Sequence, residues 1–137
     1  MAKMGISLSF LIGHVYYWGQ AMRDKVFSHA KASLLDRTGK RNGLLRCIEN
    51  AVTRKMWKEP ETILAPEECI SVDAALRAVT RDAAWQCHSD HEVGTLEPGK
   101  FADLVVLESD PREADPNSIG DIRILETWMG GRRVFST

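Results

Sequence analysis

Cysteine is scarce in this sequence. Cys47, Cys69 and Cys87 are the three in 137 residues, widely spaced and without a Cys-x-x-Cys pair. An odd, scattered set of this kind excludes a disulfide framework and a zinc knuckle. An excess of either charge is also lacking, with 18 Lys and Arg against 19 Asp and Glu and a formal net charge of -1. Without a basic field nothing draws in a phosphate backbone irrespective of base sequence, so nucleic acid is not an expected partner. The apolar run from Ile6 to Ile12 behind Lys3 is too short for a membrane helix, which needs about 20 apolar residues, so no membrane partner is expected. Tyr16, Tyr17 and Trp18 follow it where a secretory signal would carry a small-residue cleavage site. The segment therefore reads as a buried strand of a cytoplasmic protein. Internal repeats and low-complexity tracts are missing too.

What is present is an ordinary globular composition, 44% hydrophobic and 27% charged, in a length with room for one domain. Ile6-Ser-Leu-Ser-Phe-Leu-Ile-Gly-His14 opens in alternation and becomes uniformly apolar, as a strand covered on both faces does in a parallel sheet. His14 falls at its C-terminal end. Met22, Val26, Ala30 and Leu34 recur every four residues and predict a helix with Gly39 as its stop. Leu45, Ile48, Val52 and Met56 predict a second helix from about Leu44 to Trp57, ended by Pro60, with Arg46, Glu49 and Arg54 mostly off that face. Residues Lys58 to Ile70 read as a loop. Ser71 is placed to cap a third helix, with Asp73 in its first turn, running through Val72, Leu76, Val79 and Ala83 to Trp85.

The character of the chain changes near Gly94. Glu97-Pro98-Gly99-Lys100 carries Pro and Gly at the centre of a type II turn, and Asp103-Leu-Val-Val-Leu107 is a β-rich run. A polar connection from Glu108 to Gly120 holds two Asp-Pro pairs. Ile122 to Met129 and Arg132 to Phe135 then flank Gly130-Gly131, a two-residue hairpin signal. The C-terminal third is thus expected to be a small antiparallel β unit.

Val93-Gly-Thr-Leu-Glu-Pro-Gly-Lys-Phe-Ala-Asp-Leu-Val-Val-Leu107 resembles the C-terminal signature of the amidohydrolase superfamily. Ile70 to Trp85 is similar to the helical pair that precedes that signature, and Asp121 to Phe135 to the hairpin that closes it. With His14-Val-Tyr-Tyr-Trp-Gly19, these stretches point to amidohydrolase family 3, which includes exoenzyme regulatory protein homologues and formamide deformylase-like enzymes. The resemblance implies an α/β fold: the C-terminal remnant of a (β/α)8 barrel, one strand and about three helices over residues 1–92, then β-sandwich strands over 93–137, forming one compact unit. About 250 residues are needed to close such a barrel, more than this sequence supplies.

The resemblance also implies a divalent metal, zinc first, that activates water to cleave carbon-nitrogen bonds in full-length relatives. His14 matches a histidine that joins that metal centre from a late barrel strand. The family's His-x-His pair, its acidic or modified-lysine bridge and a further histidine would lie upstream of Met1. Its catalytic aspartate sits on a strand ahead of the helix matching Leu44 to Trp57, yet here Thr38-Gly-Lys-Arg41 passes through Asn42-Gly43 directly into Leu44. No catalytic residue is therefore expected, and no metal held stably, since catalytic zinc takes three protein ligands. Expected partners are a second copy of the chain or the missing upstream half.

The remaining reactive side chains read as structural. His88-Ser89-Asp90-His91 imitates both the missing aspartate motif and a metal pair, but it falls in a variable connection and reads as a solvated loop. His29 reads as part of a solvated helix face. Cys47 and Cys87 read as small buried hydrophobes, and Trp57, Trp85 and Trp128 as core anchors.

Overall fold

A computed structural model describes residues 43–56 and 59–137. The strand read at Ile6 to Ile12, the helix over Met22 to Leu34, His14, His29 and Trp57 lie outside the described residues. Helix α1 spans Gly43–Thr53, and its apolar stripe buries Leu45 and Ile48 as the spacing predicts. It stops short of Trp57 because Arg54 turns into the left-handed region at φ 49. From there the chain reverses on itself. The Leu64 N–H donates to the Arg54 carbonyl at 3.0 Å, and Lys55 forms an isolated bridge with Ile63. Met56 is buried although it lies beyond the end of the helix.

A 3-10 turn at Pro66–Glu68 leads to Ser71, whose hydroxyl accepts the Ala74 N–H at 3.2 Å and starts helix α2, Val72–Val79. The single helix that the apolar spacing predicts through to Trp85 is in fact two, the helical pair that the family resemblance implies. Thr80 takes φ -119 and ψ -94, and its hydroxyl donates to the Leu76 carbonyl at 2.7 Å. A threonine offered that local bond competes with the helix ladder. Helix α3 restarts at Arg81–Gln86 in a new register that turns Ala84 inward and leaves Trp85 57% exposed. Trp85 is therefore no core anchor. Cys87 is likewise exposed, since it lies in the turn that ends α3, and Cys47 is only half-buried.

Gly94 joins the helices to the β unit. It adopts φ +93, and a Cβ there would meet the Ala84 Cβ at 2.5 Å, so the chain crosses the α3 backbone at a distance only glycine allows. Strands β1 (Leu104–Leu107), β2 (Ile124–Met129) and β3 (Arg132–Ser136) form an antiparallel sheet in the order β1-β2-β3. Gly130 and Gly131, at φ 54 and 76, make the β2–β3 connection the tight turn that matches strand twist. Bulges lie between Val106 and Leu107 on β1 and between Thr127 and Trp128 on β2. The Glu108 to Gly120 connection ends in a 3-10 turn, Ile119–Asp121.

That turn completes the core. Leu45 and Ile48 of α1, Ala75 of α2, Ile119 and Ile122 form one buried cluster, against which Leu107 and Ile124 of the sheet also pack. Helices followed by an antiparallel sheet on a shared core are consistent with the α/β reading. No described helix is long and apolar enough to cross a membrane.

Candidate functional site

Helix α1 buries a second face, and that one is polar. Arg46, Glu49, Asn50 and Arg54 follow one another at helical spacing and are all less than 9% exposed. The spacing puts Arg46, Glu49 and Arg54 mostly off the apolar stripe, where charged side chains ordinarily meet solvent. Here the Ile119–Asp121 turn lies across the polar face. Arg46 donates to Glu49 Oε1 at 2.6 Å and to Asp121, and Glu49 Oε2 accepts the Gly120 N–H at 2.7 Å. Burial works against the Arg46 charge, but the Glu49 and Asp121 carboxylates outweigh it and raise the guanidinium above its ordinary value. A Cβ at Gly120 would fall on the Arg46 guanidinium, so this approach also depends on glycine.

The Val93 to Leu107 stretch and the closing hairpin prove to be one device. The type II turn read at Glu97 to Lys100 forms as predicted, with the Lys100 N–H on the Glu97 carbonyl at 3.2 Å and Gly99 at φ +95. Lys100 Nζ donates to Thr95 Oγ1 at 2.7 Å. Asp103 then reaches across to the hairpin, where its carboxylate accepts the Gly130 N–H at 2.6 Å, and the Ala102 carbonyl accepts the Gly131 N–H at 3.1 Å. A carboxylate on the amide of a glycine turn fixes where β2 ends. Nothing in the spacing of two motifs 27 residues apart announces this bond. Next to it, the Trp128 indole donates to Glu126 at 2.7 Å and Arg133 does so at 3.1 Å. Both hold the Glu126 carboxyl below its usual range, the indole bond more strongly.

The histidine turn behaves as a solvated loop. His88 and His91 are exposed, and His88 sits at φ 58. Ser89 ties the turn to α3 through its N–H on the Ala84 carbonyl at 2.9 Å. His91 lies 3.9 Å from the Glu92 carboxylate. Among the described residues no three His, Cys, Asp or Glu side chains lie close enough to share one ion, so these residues do not by themselves assemble a catalytic metal centre.

Comparison with known proteins bears on this arrangement. A family model described as the amidohydrolase family matches residues 45–135. N-substituted formamide deformylase of Arthrobacter pascens is 31% identical over 147 residues, covering 96% of this chain and 27% of that protein. Protein LONG AFTER FAR-RED 3 of Arabidopsis thaliana is 36% identical over 70 residues, covering 51% of this chain and 12% of that protein. The chain thus spans about a quarter of the first relative's length. No solved structure matches.

Proposed function

Because the chain belongs to the amidohydrolase family, we propose that it corresponds to the C-terminal part of a metal-dependent hydrolase of carbon-nitrogen bonds other than peptide bonds, and that alone it turns over no substrate. The observation that carries this reading is the family match over residues 45–135, which runs from α1 through the coupled turn and hairpin. On this reading α1 to α3 belong to the outer layer of a (β/α)8 barrel and β1 to β3 to its companion β-sandwich. A divalent ion, zinc first, would be held mainly by residues this chain lacks, with His14 its one ligand here. When bound, such an ion acidifies its water and polarises the substrate carbonyl.

Loss of the strand bearing the family's aspartate, ahead of Leu44, is part of the proposal. It is supported by the direct passage of Thr38-Gly-Lys-Arg41 through Asn42-Gly43 into Leu44. The cytoplasmic location read from the sequence stays with the proposal. The test is direct. The purified chain, supplied with zinc, manganese or cobalt, should bind less than one ion per chain and release no formate from an N-substituted formamide. Metal-dependent turnover abolished by His14→Ala would overturn it.

The sheet supports a second reading, a non-catalytic module that self-associates. Val105 and Phe135 flank Thr127 in register across the three strands and are each 48% exposed, with Met129 at 61%. Apolar side chains aligned on one sheet face are the surface a second copy would cover.

A further inference from the structure

We draw no further inference here: the strongest candidate, the exposed apolar face of the three-stranded sheet around Val105 and Phe135, belongs to the self-association reading already given, and nothing in the structure shows what covers it.

Discussion

Two glycines show what single positions contribute. Gly94 combines φ +93 with a gap to Ala84 that a Cβ would close to 2.5 Å, so Gly94→Ala meets both backbone strain and overpacking. It should cost about 2–4 kcal/mol, measured as a shift in urea midpoint. Ala84→Gly in the same chain should recover the part due to overpacking. An equal loss with and without Ala84→Gly would place the whole effect in the backbone. At Gly120 the obstacle is the Arg46 guanidinium, pinned by Glu49 and Asp121. The turn glycines at 99, 130 and 131 were legible from their dipeptides, because turn chemistry is local. Gly94 and Gly120 have reasons that lie 10 and 74 positions away, at Ala84 and Arg46, and no reading of neighbours could supply them.

Elements were legible where side chains act on their own backbone. Ser71 is an example: its hydroxyl takes the Ala74 N–H, so Ser71→Ala should cost about 1 kcal/mol. Circular dichroism should record this as a lower urea midpoint with an unchanged slope, and no loss of stability would mean that water replaces the cap. Periodicity alone ran the helical pair before Gly94 into one helix, because alanines and valines keep an apolar period through Thr80, while the threonine hydroxyl bonds back to Leu76 and breaks the ladder. The burial of the polar residues of α1 is a different matter, one on which spacing is silent. Arg46, Glu49, Asn50 and Arg54 have the composition of a solvated stripe, yet all four are buried, with Glu49 held by the Gly120 N–H and Arg54 on the Leu64 carbonyl.

For the molecule as a whole, the question is what covers the sheet. The buried cluster joins α1, α2 and the Ile119–Asp121 turn, with Leu107 and Ile124 packed at its edge, while Val105, Phe135 and Met129 point elsewhere and stay exposed. If a second copy covers that face, light scattering at micromolar concentration should give at least twice the 15.4 kDa chain mass. The double substitution Val105→Thr and Phe135→Ser should return it to one chain. A wild-type monomer would remove the self-association reading. The sequence by itself determined the capped helix, the type II turn, the Gly130-Gly131 hairpin and the family, because each rests on short patterns whose physics is local or whose combination is specific. Only the tertiary structure decided which polar residues are buried and which apolar ones are left outside. Helical spacing defines a face but not what lies against it, and here the covering segments come from distant parts of the chain.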